Sequence, residues 1–91
     1  MDKESEIILR LISEREKQGK NIGVSILVHL IDRYHWDDFV NQHEIIGMCL
    51  SSLMTKGYLT YKDVQEPSGH IWKAYHITAQ GEKHLISTNQ T

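Results

Sequence analysis

The sequence predicts an α+β fold of three helices, a two-stranded hairpin and a short last helix. Three observations carry this. Apolar residues repeat at helical spacing through the first half of the chain. After Gly57 the period changes to two. The 91 residues have room for one hydrophobic core, and a second domain would lack its own.

The first helix is expected over residues 3–18. Ile7, Ile8, Leu11 and Ile12 supply its stripe, and Gly19 is placed to stop it. Glu4 and Glu6 in the first turn, and Arg15 and Lys17 near the last, suit the helix dipole. The second helix spans 24–34, where Val24, Leu27, Ile31 and Tyr34 repeat at i, i+3, i+7 and i+10, and Ile26 and Leu30 widen the stripe. Its β-branched residues make a strand the competing assignment, but eleven residues favour a helix. His35-Trp36-Asp37-Asp38 reads as a turn, with Trp36 packed between its neighbouring helices and Asp37, Asp38 or Asn41 capping the next helix.

The third helix is expected over 41–56, with Ile46, Leu50 and Leu53 inward and Gly57 as its left-handed stop. Residues 58–62 and 71–77 read as strands, joined by the turn-rich Gln65-Glu66-Pro67-Ser68-Gly69. In the second strand Ile71, Tyr75 and Ile77 share the inner face, which turns Trp72 away from the helices, to cover the hairpin's far side or meet a partner. Thr78 caps the last helix, which carries Leu85 and Ile86. Gly81 in its first turn costs about 1 kcal/mol against Ala, so it marks a close backbone approach. The predicted core is Ile8, Leu11, Ile12, Leu27, Leu30, Ile31, Ile46, Leu50, Leu53, Leu59, Tyr75, Ile77 and Leu85. Residues 1–86 then form a single domain. Residues 87–91, polar and without an apolar anchor, form a flexible tail.

Three helices followed by a two-stranded hairpin make a winged helix-turn-helix. The local wording agrees. Ile46, Leu50, Leu53, Gly57, Tyr58 and Leu59 are spaced like the end of a recognition helix running into a wing. Tyr75-His76-Ile77-Thr78-Ala79-Gln80-Gly81, with Leu85 beyond, resembles the close of the wing in the MarR and PadR transcriptional regulators. The resemblance covers about residues 26–85 and implies a DNA-binding regulator. It departs from those families in two ways. Few residues follow Thr78, where they carry a long dimerisation helix. The outward face of the third helix also lacks their usual basic residues.

That face follows from stepping about 100° per residue from Ile46. Glu44, Met48, Ser51 and Thr55 fall opposite the core side, with Ser52 beside them, and no Lys or Arg joins them. The chain carries 10 Lys and Arg against 12 Asp and Glu, a net charge of −2 that excludes a strongly basic nucleic-acid-coating protein. Residues 24–57 hold two basic residues against four acidic ones, so the whole imbalance sits in the segment that would meet DNA. Phosphate attraction must then come from Lys62 and Lys73 on the wing, His70 near its tip, or Arg15, Lys17 and Lys20. Base edges are left to Glu44, which can accept from a cytosine amino group, and to Ser51, Ser52 or Gln42, with His43, Met48 and Thr55 also placed among the DNA-binding residues. Two readings compete: a DNA-binding regulator of modest affinity, or a protein-interaction module docking through Met48 or Trp72. Doubling so few phosphate contacts favours a homodimer. The wide apolar stripe of the first helix assigns Ile7 or Leu9 to its two-fold interface.

Other chemistry finds little support. The six histidines show no i, i+4 pair, so no metal site is expected. His35 and His43, flanking the turn, are the nearest approach to one. Cys49 is the one cysteine, which excludes an internal disulfide. It falls on the flank of the core stripe, as a buried inert thiol would. Gly19, Gly23 and Gly47 fit no phosphate-loop spacing, and Asp37-Asp38 reads as capping. Neither an enzyme nor a cofactor is expected. No apolar run approaches the roughly 18 residues of a membrane helix. The acidic residues 1–6 are unlike a secretory signal, so the expected location is cytoplasmic.

Overall fold

The computed structural model describes residues 2–39 and 44–89. In chain order the elements are α1 (Lys3–Lys17), α2 (Val24–Tyr34), α3 (Trp36–Phe39), α4 (Ile45–Thr55), β1 (Leu59–Gln65), β2 (Ile71–Ile77) and α5 (Ala79–Asn89). The expected turn at 35–38 is instead a single helical turn, α3. It swings Phe39 into the core and leaves Trp36 half exposed, so Phe39, not Trp36, fills the space beside α2. α4 begins at Ile45, and the cap candidate Asn41 lies outside the described residues. α5 carries regular backbone through Asn89, past the expected start of the tail at Ser87.

Asp2 caps α1. Its carboxylate accepts from the Ser5 amide at 2.8 Å, and this bond, with Lys56 nearby, holds its pKa below the usual value of 3.8. A depressed carboxyl stabilises the fold above its unfolded pKa and ceases to as pH falls through the folded one. Asp2→Ala should therefore cost about 1 kcal/mol at neutral pH. The gap from the parent protein should close in strong acid. Thermal melts of both proteins across that range check this.

α1 packs against α4, β2 and α5, which makes it the central helix. Because it is covered on several sides, one stripe does not serve it. Ile8, Leu9 and Ile12 are all fully buried, and Ile7 and Leu11 pack half-buried at the margin. The assignment of Leu9 to a two-fold interface is thereby corrected: Leu9 has no exposed surface in a single chain. The remaining core joins Leu27, Ile31, Ile46, Leu50, Leu53, Leu59, Tyr75 and Leu85 as expected, with Leu30 and Ile77 at its edge. Ile22, Phe39, Cys49 and Ala74 are buried as well.

α4 stops at Gly57, whose φ of 79° is the left-handed value glycine adopts freely. The Tyr58 amide reaches back to the Leu53 carbonyl at 3.0 Å, and the Gly57 amide to Met54 at 3.0 Å. β1 and β2 then pair antiparallel from Leu59↔Ile77 to Gln65↔Ile71, so β1 runs three residues beyond its expected end. The base of the hairpin is locked by Thr78. Its hydroxyl donates to the Gly57 carbonyl at 2.7 Å and accepts from the Gly81 amide at 3.0 Å. The imidazole of His84 stacks on Tyr58 at 5.0 Å. Glu16 of α1 clamps the end of β2 through His76 Nδ1 at 2.8 Å and the Ile77 amide at 3.0 Å.

The inner face of β2 differs from expectation. The Tyr75 amide donates to the Ile22 carbonyl at 2.8 Å, so the segment before α2 runs along the outer edge of β2. Gly23, having no side chain, lets the Trp72 ring lie against it. Trp72 and Ala74 therefore turn toward the helices and Ile71 is exposed, reversing the expected orientation at that end of the strand. Trp72 covers the α2 entrance and not the hairpin's far side. Its ring N–H is buried with no acceptor among the described residues.

Candidate nucleic-acid interface

The outward side of α4 and the hairpin are the two surfaces such a fold offers to a partner. On α4, Glu44, Met48, Ser51 and Thr55 are exposed, Met48 at 72 %, and Ser52 is half-buried. The Thr55 hydroxyl donates back to the Ser51 carbonyl at 3.0 Å, which leaves its lone pairs outward. Gly47 shares the exposed side, and nothing lies within 4 Å of where its Cβ would be. Apolar periodicity does not single out Gly47. Its signal is a helix-disfavoured residue inside a strongly apolar helix. It leaves bare backbone where a partner can approach closely. Gln42 and His43 lie outside the described residues.

Lys56, exposed at the end of α4, lies near enough to Asp2 to help lower that carboxyl's pKa. The single acidic residue on the α4 face, Glu44, makes no side-chain cap bond. The surface is thus polar and adaptable, without the positive field that draws phosphates.

The hairpin supplies the cations. Lys62 pairs in register with Ala74, and Lys73 with Asp63. Side chains alternate along a strand, so these lysines stand on opposite faces of the wing. Lys73 Nζ sits 4.7 Å from the centroid of the Tyr61 ring, a cation–π contact that fixes the ammonium without neutralising it. Tyr61 in turn leans on Tyr75, with centroids 6.4 Å apart. Tyr61 is a further residue that periodicity does not single out, since its role depends on the strand register. His70 is exposed at the wing tip, beside the turn closed by the Glu66 amide on the His70 carbonyl at 2.8 Å. Arg15 is occupied elsewhere, donating to the Asn21 carbonyl at 3.4 Å.

Among the described residues, none is placed as an activated nucleophile would be. Burial pushes the Cys49 thiol above its ordinary value, which disfavours the reactive thiolate. Among the described residues, no three of His, Cys, Asp and Glu come together as a metal site would need. None of the described helices is long and apolar enough to cross a membrane.

No protein-family model matches the chain, and no curated protein matches it. Among solved structures, a PadR-like transcriptional regulator from Bacillus cereus is similar over 100% of this chain, at a TM-score of 0.77 and 20% identity. That similarity covers 48% of the regulator, so this chain spans about half its length. With its exposed fourth helix beside a two-stranded wing, the protein has the winged helix-turn-helix fold seen in PadR-like regulators.

Proposed function

We propose that this protein is a cytoplasmic, dimeric DNA-binding transcriptional regulator and not an enzyme. The observation that carries this is the exposed face of α4, set beside a wing whose lysines point to opposite sides. In the proposed complex α4 enters the major groove. Glu44, Met48, Ser51, Ser52 and Thr55 face base edges there, and Gln42 and His43, which precede the helix in sequence, are proposed as further DNA contacts. Glu44 accepts from a cytosine amino group. Lys62 and Lys73 straddle the adjacent groove and take phosphates on either side of it, with His70 at the tip. Four acidic residues in 24–57 keep the affinity modest.

Each lysine then contributes one phosphate contact. Lys62→Ala and Lys73→Ala should each weaken binding on every sequence and lower the log–log salt slope by roughly 0.9. Glu44→Ala should strengthen binding to mixed-sequence duplex, because it removes a negative charge from a face that approaches the polyanion, and it should relax the preference for cytosine at the contacted position. Fluorescence anisotropy at two salt concentrations measures all three. The exposure of Met48 favours one other reading, a protein-docking face. Absence of duplex binding by the parent protein at about 50 mM salt, where screening is weak, would turn the assignment to that reading. Met48→Asp would then be the variant that abolishes the partner's binding.

A further inference from the structure

The wing is tied to the helices at its base and at its side. At the base, the Thr78 hydroxyl donates to the Gly57 carbonyl at 2.7 Å and the Thr78 amide to the Tyr58 carbonyl at 3.0 Å, both just beyond the end of α4. At the side, Glu16 reaches over from α1, and both its carboxylate oxygens are used. One lies 2.8 Å from His76 Nδ1 and the other accepts the Ile77 amide at 3.0 Å. The Tyr75 amide on the Ile22 carbonyl, at 2.8 Å, continues that side contact. Links at the base fix where the hairpin starts. The side ties fix its angle.

That angle is magnified along the hairpin. Lys73 lies four residues from Ile77, about 13 Å at the usual strand rise. A tilt of about 10° at the clamp then carries its ammonium about 2 Å, farther than the window of a hydrogen bond to phosphate. Charge alone argues against a carboxylate here. Glu16 sets an anion at the root of the element that carries the phosphate-binding lysines, which works against affinity for a polyanion. We propose that Glu16 is the positioning residue of the wing. It holds β2 at the angle at which Lys62 and Lys73 reach phosphates while α4 lies in the groove. This rests on the DNA-binding reading above and adds to it a residue that touches no nucleic acid.

Glu16→Ala and Glu16→Gln remove the same charge but differ in what they leave. Gln keeps an oxygen for the Ile77 amide and an N–H for His76 Nδ1, and Ala keeps neither. In anisotropy titrations against mixed-sequence duplex, Glu16→Ala should bind about tenfold more weakly than the parent. Glu16→Gln should bind no more weakly than the parent. A pure charge effect would strengthen both alike. Lys62→Ala and Lys73→Ala should each lose less affinity in the Glu16→Ala background than in the parent, whereas Glu44→Ala, on α4, should act equally in both. General destabilisation would not separate the lysines from Glu44. Amide hydrogen exchange without DNA supplies a second readout. The Tyr75 amide should exchange faster in Glu16→Ala and not in Glu16→Gln, while the amides paired between β1 and β2 keep their protection. His76→Ala removes one of the two clamp bonds and should show the same pattern with a smaller loss. It decides the matter if circular dichroism shows Glu16→Ala unfolded. Equal affinities for the Ala and Gln variants, or lysine effects that do not change with Glu16, would overturn the proposal. A parent protein that binds no duplex would sink the DNA reading, and the exchange of the Tyr75 amide would then decide by itself whether Glu16 holds the wing.

Discussion

Leu9→Ala is expected to lower stability by about 2–5 kcal/mol, the range for truncating a large apolar side chain in a core that cannot collapse around the gap. Leu9 is fully buried on the central helix, between elements that pack on α1 from several sides. For a domain of this size, whose whole stability is about 5–15 kcal/mol, the loss is a large fraction. Its character also matters. If Leu9 stabilised a two-fold contact, the penalty would grow with dilution, because association is linked to protein concentration. A core residue carries a penalty independent of concentration. Urea titrations of parent and variant at two protein concentrations tenfold apart measure both. A dilution-dependent difference would return Leu9 to an interface.

Gly81→Ala should be nearly as damaging despite adding one methyl group to a helix. Elsewhere in a helix this change is worth up to about 1 kcal/mol in favour of Ala. Here the new Cβ would collide with the Tyr58 carbonyl oxygen and lie 2.7 Å from Ile77 Cγ1. The Tyr58 carbonyl cannot give way cheaply, since it accepts the Thr78 amide at 3.0 Å and closes the base of the wing. Overpacking of this kind costs about 1–3 kcal/mol. The expected fall in melting temperature is about 4–8 °C for each kcal/mol in a domain this small. Gly47→Ala is the control. It is also helical, but its Cβ would meet nothing within 4 Å, so it should raise the melting temperature. Equal effects from the two substitutions would show that propensity, not the contact with Tyr58, governs both positions.

These two glycines show how far local signals reach. Gly81 falls in the first turn of a helix capped by Thr78, so a close approach could be expected there from sequence. The partner, Tyr58, sits 23 residues away and is set by the hairpin register. The candidate site divides in the same way. The outward positions of α4 follow from a 100° step and are exposed as expected. The opposed directions of Lys62 and Lys73, and the Tyr61 ring under Lys73, need the pairing of β1 with β2.

The sequence by itself determined the order and type of the long elements. Helical spacing in α1, α2 and α4, alternation after Gly57, and the stops at Gly19 and Gly57 act over a few residues and are written locally. Tertiary structure alone decided which apolar residues would be core where one element has several neighbours. α1 is packed on more than one side, so Leu9 is buried where a single stripe would have left it free. The segment before α2 bonds to the edge of β2 and draws Trp72 inward over Gly23, leaving Ile71 outside. Phe39 displaces Trp36 because one turn of helix replaces the expected loop. In each case the choice lay between two apolar side chains of similar transfer energy. Periodicity cannot separate such a pair; the positions of neighbours distant in sequence can.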